Sequence, residues 1–389
     1  MALPLLVTAS KGTEPLVQRE LNALGAKDTV ARRGGIRFEG SLEDALRVCM
    51  HARVAMRVLM PLAEIETPDR ESLYDAAKSV AWEEHLTATT TFAVDATLKD
   101  SAHNHSGAAA LKVKDAIVDR LREKFGSRPD VDTKNPAFRV VAHLHRSTLM
   151  LSLDVCGDPL NQRGYRLEQA PAPLKETLAA GVLKSARFEG EESVVDPMCG
   201  SGTLAIEAAL IAMRRAPNKK RHFAIERWPA MRDEAKTVLA KLRDEATAQE
   251  RPAPFPIFAR DRDGEAVAAA RANVRAAGLE GTITVEQADA LTGDAPPCAP
   301  GLIVTNPPYG DRLKAGGQKG MKSFYWRLSE NLFRWEGWRL AVLSGNEAFE
   351  SAFHRRPNYR AKLWNGPIEC DFLTYRAESS TRRDATPPT

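Results

Sequence analysis

The spacing of apolar residues along this chain alternates between a period near two and a period near four, which predicts a series of short strands and helices. Leu5 to Thr8 reads as a strand. Leu16, Val17, Leu21 and Leu24 recur at helical spacing within Thr13 to Leu24, and Gly25 follows as a stop. Val30 to Arg33 and Ile36 to Glu39 flank Gly34-Gly35, a hairpin signal. A second helix starts at Ser41 with Asp44 three residues on, and Val54 to Ile65 is extended. From about Pro68 the pattern begins again. Arg70 to Val80 is helical, Thr91 to Thr97 extended, and Leu111 to Phe125 a helix whose Val113, Ala116, Ile117 and Leu121 share one face. Strands from Phe138 to His145 and from Thr148 to Asp154 then turn around Arg146-Ser147.

The first six elements run βαββαβ, the order of an α+β ferredoxin-like unit, and set a first domain at residues 1–66 and a second at 67–160. Beyond it the pattern is α/β. Val194-Val195 leads into the loop Asp196-Pro197-Met198-Cys199-Gly200-Ser201-Gly202-Thr203. A helical pattern of Leu204, Ile206, Ala208, Ala209 and Ile211 follows. Strands are predicted at Phe255 to Ala259, Thr282 to Glu286, Leu302 to Thr305 and Leu340 to Leu343. A helix from Glu265 to Ala277 stops at Gly278, and Tyr359 to Trp364 with Glu369 to Tyr375 forms a closing hairpin. These elements make a doubly wound domain at 161–378, with a disordered tail at 379–389. One stretch interrupts it: Arg214 to Pro254 is charged, carries Trp228 and holds a helix from Arg232 to Ala246.

Composition narrows the setting. A chain of 389 residues needs two or three domains. Its 55 Lys and Arg against 51 Asp and Glu leave a formal charge of +4, which permits nucleic-acid binding only where the positive charge is gathered on one face. Cys49, Cys156, Cys199, Cys298 and Cys370 are scattered without ligand or disulfide spacing, so a reducing cytoplasm is expected. No segment approaches the roughly 20 apolar residues that a membrane span needs. His103 and His105 lack a third ligand, and no metal is expected.

The chemistry is concentrated at strand ends. Asn306-Pro307-Pro308-Tyr309-Gly310 closes an apolar run. The Asn306 side-chain oxygen and the Pro307 carbonyl can each accept from a planar NH2 group, while the Tyr309 ring offers a face to the base that carries it. Gly200, Gly202 and Thr203 follow a loose dinucleotide pattern, which alone is a weak signal. The carboxylate of Asp196 would repel a pyrophosphate and attract an ammonium, so S-adenosylmethionine is favoured over a nicotinamide. Asp261, with Asp263 behind it, is the candidate for the ribose hydroxyls, although both also fit a helix cap. Asp289 is the candidate acceptor for the adenine amino group. Met198 and Cys199 read as packing residues of the loop.

Together the D-P-x-C-G-S-G-T loop, the D-x-D after the second strand and T-N-P-P-Y-G resemble class I RNA methyltransferases that make N2-methylguanosine. Gln162-Arg163-Gly164-Tyr165-Arg166 and the run from Ala172 to Ala180 are similar to the junction joining a THUMP RNA-binding module to such a catalytic domain. The resemblance covers nearly the whole chain and is nearest to bacterial enzymes acting on 23S ribosomal RNA. It implies a mixed seven-stranded Rossmann-like sheet after ferredoxin-like and THUMP domains. Asn306, Pro307 and Tyr309 would be catalytic; Asp196, Gly200, Gly202, Thr203, Asp261, Asp289 and Asn306 would hold the cofactor. Lys112, Lys114, Arg146, Arg163, Arg166 and Lys175 are the candidate RNA contacts of a monomeric enzyme. Transfer RNA guanine-N2 methylation, adenine-N6 methylation of DNA and a noncatalytic RNA-binding assembly factor remain as alternatives.

Overall fold

The computed structural model describes residues 2–32, 34–69, 71–101, 103–167, 174–308 and 317–376. The chain divides into two units. The first contains residues 1–9, 17–160 and 216–248; the second contains 10–16, 161–215 and 249–389.

The N-terminal elements are β1 (Leu3–Thr8), α1 (Glu14–Ala23), β2 (Val30–Arg32), β3 (Gly35–Gly40), α2 (Leu42–His51) and β4 (Arg57–Glu66). Helix α2 starts where its capping box lies: the Ser41 hydroxyl accepts from the Asp44 amide while the Asp44 carboxylate accepts from the Ser41 amide. Next come α3 (Ser72–Ser79), β5 (Phe92–Lys99), α4 (Ser106–Phe125), β6 (Phe138–His145) and β7 (Thr148–Asp154). All seven strands form one sheet in the order β2-β3-β1-β4-β7-β6-β5. The β2-β3-β1-β4 part is antiparallel throughout, as the ferredoxin-like order requires, and the sheet continues through the antiparallel β4–β7 pair. Pro61 sits at a register shift in β4, just beyond the last residue paired with β1, where its missing N–H breaks no ladder bond to that strand.

The second unit begins with α5 (Glu176–Ser185), β8 (Val194–Asp196) and α6 (Thr203–Ala212). Helix α7 (Arg232–Gln249) follows, and residues 216–248 belong with the first unit. Asn218 is fully buried there and donates from its amide and side chain to the carbonyls of Met50 and Cys49. Trp228 stacks on Phe138 at 5.0 Å. The second unit resumes with β9 (Ile257–Asp261), α8 (Gly264–Ala276), β10 (Ile283–Gln287), β11 (Leu302–Thr305), α9 (Gly317–Leu332), β12 (Arg339–Ser344), α10 (Phe349–Phe353), β13 (Tyr359–Asn365) and β14 (Ile368–Arg376).

Its sheet has the order β10-β9-β8-β11-β12-β14-β13. The first five strands are parallel, β14 runs antiparallel to β12, and the edge strand β13, antiparallel to β14, returns to the common direction, giving the mixed seven-stranded sheet of class I methyltransferases. Strands buried on both faces must be apolar throughout, as Leu302-Ile303-Val304 is. One face packs against α5, α6 and α8, the other against α9 and α10. Strand order reverses between β8 and β11, and a crevice opens at such a point outside the carboxyl ends of the strands.

Candidate active site

Asp196 ends β8 and Asn306 follows β11, so the two residues stand on either side of this reversal. Asp196 is 1% exposed and accepts from the Met198 amide at 3.2 Å. Burial pushes its carboxyl from the ordinary 3.8 up to about 8, with the nearby Asp261 charge acting in the same direction. A carboxyl held in this way ionises readily only when a cation reaches it.

The loop after β8 is shaped by its glycines. Gly200 has φ +52° and a Cβ there would meet nothing within 4 Å, so the backbone is open on that side. Gly202 has φ +84° and caps α6; a Cβ would stand 3.3 Å from that of Ala270, so the helix-to-helix approach also favours glycine. The Asp261 carboxylate grips the loop from below, accepting from the Gly200 amide at 2.9 Å and the Asp263 amide at 3.0 Å. Asp263 is the N-cap of α8 and accepts from the Glu265 amide at 2.9 Å. Asp289 lies two residues beyond β10, half-buried, and accepts from the Leu291 amide at 2.9 Å.

Two of the arginines expected to face RNA lie inside the fold. Arg163 has a side chain 1% exposed and pairs with the fully buried Glu207 of α6 at 3.5 Å; Tyr165 donates to the same carboxylate at 3.0 Å. Arg166 binds Glu176 at 2.9 Å, the Leu174 carbonyl at 2.9 Å, the Ser201 hydroxyl at 3.3 Å and the Thr203 hydroxyl at 3.1 Å. Neither guanidinium is therefore presented to RNA, and Arg166 instead braces the glycine loop. Asn273 completes this brace, accepting from the Leu167 amide and donating to the Ser201 carbonyl, each at 2.9 Å. Lys175 is exposed at the start of α5, and Arg146 is exposed at the β6–β7 turn with φ +54°. Lys112 and Lys114 lie half-buried on α4, where Lys114 pairs with Asp115 at 2.7 Å. Arg120 and Arg122 of the same helix pair with Glu83 and Asp119, which neutralises much of its basic face.

The Asn306 side-chain oxygen is buried and, among the described residues, has no hydrogen-bond partner. Leaving a buried acceptor unpaired costs about 1–3 kcal/mol, which makes this oxygen a candidate to accept from a donor that arrives from outside. Pro307 is buried beside it. Tyr309 and Gly310 lie outside the described residues, as do Arg33, Arg70, Ala172, Pro173 and the tail from Ser379.

Helix α9 supplies contacts that sequence reasoning missed. Tyr325, fully buried, donates its hydroxyl to the Pro308 carbonyl at 2.9 Å, and burial pushes that hydroxyl up to about 12. The Asn331 side chain donates to the carbonyls of Ala290 and Gly293 at 3.1 and 2.8 Å, tying down the segment after Asp289. The available signal was the apolar spacing Met321, Tyr325, Leu328 and Leu332.

Comparisons with known proteins agree with this layout. Residues 163–374 match the family described as RMKL-like methyltransferase domain, residues 68–154 the THUMP domain, and residues 4–59 the RlmL ferredoxin-like domain. The chain is 44% identical over 385 residues to the ribosomal RNA large subunit methyltransferase K/L of Syntrophotalea carbinolica, covering 96% of this chain and 53% of that protein. It is 41% identical to the protein of the same name from Methylococcus capsulatus, covering 96% and 51%. The chain thus spans about half the length of the curated relatives it matches. Among solved structures, SMU.472, a putative methyltransferase complexed with SAH, aligns with TM-score 0.86 at 29% identity, over 98% of this chain and 99% of that one. A predicted N6-adenine-specific DNA methylase from Listeria monocytogenes aligns with TM-score 0.84 at 30% identity, over 97% of each chain.

Proposed function

From the premise that the chain belongs to the RMKL-like methyltransferase family, we propose that it methylates the exocyclic N2 amino group of a guanosine in large-subunit ribosomal RNA, using S-adenosylmethionine. The buried oxygen of Asn306, without a partner among the described residues, carries this reading. The resemblance to enzymes making N2-methylguanosine supports guanine. The THUMP match and the names of the curated relatives support ribosomal RNA, and the SAH held by a structural relative supports the donor.

The residues present fit that donor. Asp196 would receive its ammonium, Gly200 and Gly202 would let the backbone approach it, and Asp261 and Asp289 would face the ribose and adenine. Bound S-adenosylmethionine supplies an electrophilic methyl group on sulfur. The chain has to make an aromatic amine nucleophilic. Its nitrogen lone pair is delocalised into the ring, so acceptors at Asn306 and the Pro307 carbonyl would draw the hydrogens out of the ring plane and localise the pair. The same acceptors stabilise positive charge growing on that nitrogen. The carbon–nitrogen bond forms as carbon–sulfur breaks, and one amine proton leaves to solvent. Tyr309 would stack on the base after its extrusion from the RNA, a step costing a few kcal/mol.

The test is methylation, with labelled S-adenosylmethionine, of RNA from a strain lacking the gene, followed by identification of the RNA and the nucleoside. N2-methylguanosine in large-subunit RNA is expected, and Asn306→Ala should abolish transfer while SAH binding measured by calorimetry persists. Near-normal turnover in that variant would sink the mechanism. The name of the Listeria relative favours a second reading, adenine N6; label recovered as N6-methyladenosine would establish it. Label in transfer RNA would move the substrate.

A further inference from the structure

Helix α9 has a buried side and an outer side, and the outer side has no part in the chemistry above. Met321, Tyr325, Leu328 and Leu332 fill the core beneath it. On the other side Lys322, Ser323, Trp326 and Arg327 are exposed. Trp326 is 49% exposed, a large apolar surface to leave in water in mid-helix. Lys322 lies one turn before it and Arg327 directly after it. Among the described residues neither cation has a carboxylate partner. The acidic residue one turn beyond Trp326, Glu330, is neutralised by Arg355 at 2.8 Å. The helix is also fixed to the catalytic loop, because Tyr325, adjacent in sequence to Trp326, holds the Pro308 carbonyl.

An indole flanked by two cations without carboxylate partners among the described residues, on the helix whose Tyr325 holds the Pro308 carbonyl, matches the chemistry of single-stranded nucleic acid. Each base offers a flat face to an aromatic ring, and the backbone offers phosphates to Lys and Arg. We propose that the outer face of α9 binds the unpaired RNA strand flanking the target nucleotide, with a neighbouring base stacked on Trp326 and phosphates on Lys322 and Arg327. This rests on the RNA methyltransferase reading, and it assigns α9 a place in substrate recognition separate from cofactor binding.

The experiment uses the full chain, in vitro transcribed large-subunit RNA and labelled S-adenosylmethionine, and compares wild type with Trp326→Ala, Trp326→Phe and the double variant Lys322→Ala/Arg327→Ala. Fluorescence anisotropy of labelled RNA reads binding; label transfer reads turnover; calorimetry with SAH reports whether each variant keeps the cofactor site. Trp326→Ala should weaken RNA binding by about 5- to 150-fold, the equivalent of one lost stack. Trp326→Phe should recover most of it. The double variant should flatten the dependence of log affinity on log salt by about 1.4, from two lost phosphate contacts. SAH affinity should be unchanged throughout. Unchanged RNA binding in Trp326→Ala, or an unchanged salt slope in the double variant, would overturn the proposal, as would an α9 face that binds a protein in place of RNA. If wild type transfers no methyl group yet binds RNA in a Trp326-dependent way, the proposed activity fails and the α9 surface stands.

Discussion

Asp196→Asn separates two consequences of burying a carboxyl group at the end of β8. Burial raises this group from 3.8 to about 8. Between those values the folded chain keeps a proton that the unfolded chain has lost, so folding takes up a proton and stability falls as pH rises. Each pH unit inside the window costs about 1.4 kcal/mol. From pH 5 to pH 7 the wild type should therefore lose about 3 kcal/mol through this one group. Asparagine has no proton to lose. The variant should match wild type near pH 4 and be the more stable protein at pH 7. Calorimetric unfolding at pH 5, 6 and 7 measures this, following the transition that SAH raises in wild type. The same proton marks binding. At pH 7 a group with a pKa of about 8 is about 90% protonated, and an ammonium set against it selects the ionised form. Cofactor binding to wild type should release close to one proton, read from titrations in two buffers of different ionisation enthalpy. A stability difference that does not grow with pH, together with buffer-independent heats, would refute this account of Asp196.

Tyr325→Phe removes only the hydroxyl that holds the Pro308 carbonyl. Stability should fall by about 0.5–1.5 kcal/mol, and kcat for methyl transfer by about tenfold or more, with SAH affinity unchanged. Arg166→Met leaves the Glu176 carboxylate, 6% exposed, without its cation. Unfolding should show a loss of about 3–5 kcal/mol, and SAH affinity should drop as Ser201 and Thr203 lose their brace. Trp228→Ala opens a cavity against Phe138, and hydrogen exchange should quicken in β6 after a loss of about 3–5 kcal/mol, although Trp228 lies in sequence between elements of the methyltransferase sheet.

Elements whose burial follows from local pattern were legible. Leu302 to Thr305 and the strands on either side of Arg146-Ser147 fall where period and turn chemistry place them. Helix α4 starts at Ser106 and not at Leu111, because Ala108, Ala109 and Ala110 favour helix without marking a face. Strand β9 begins at Ile257 and not at Phe255, since Pro256 has no N–H to give a ladder. The expected positions of Asp196 and Asn306 required only that each follow an apolar strand. The burial of Arg166 and the bond from Tyr325 to Pro308 join residues far apart in the chain, and nothing local distinguishes them from a surface cation and a core aromatic. Likewise the sequence marks a helix from Arg232 to Ala246, but no periodicity says to which unit it belongs.

The assignment of residues 216–248 to the first unit bears on how the protein is made. Synthesis runs from the N-terminus, so the first unit stays incomplete until residue 248 has emerged, well after β8, the glycine loop and α6. Until residues 218 and 228 emerge, Cys49 and Met50 lack Asn218, and Phe138 lacks the ring that stacks on it. The nascent chain therefore holds a sheet whose seven strands are all made but whose late covering segment is missing, while the start of the catalytic domain is already present. Any module exchange between enzymes of this layout must carry two separate stretches of sequence together, and a single cut after Leu160 would leave both products short of their own parts.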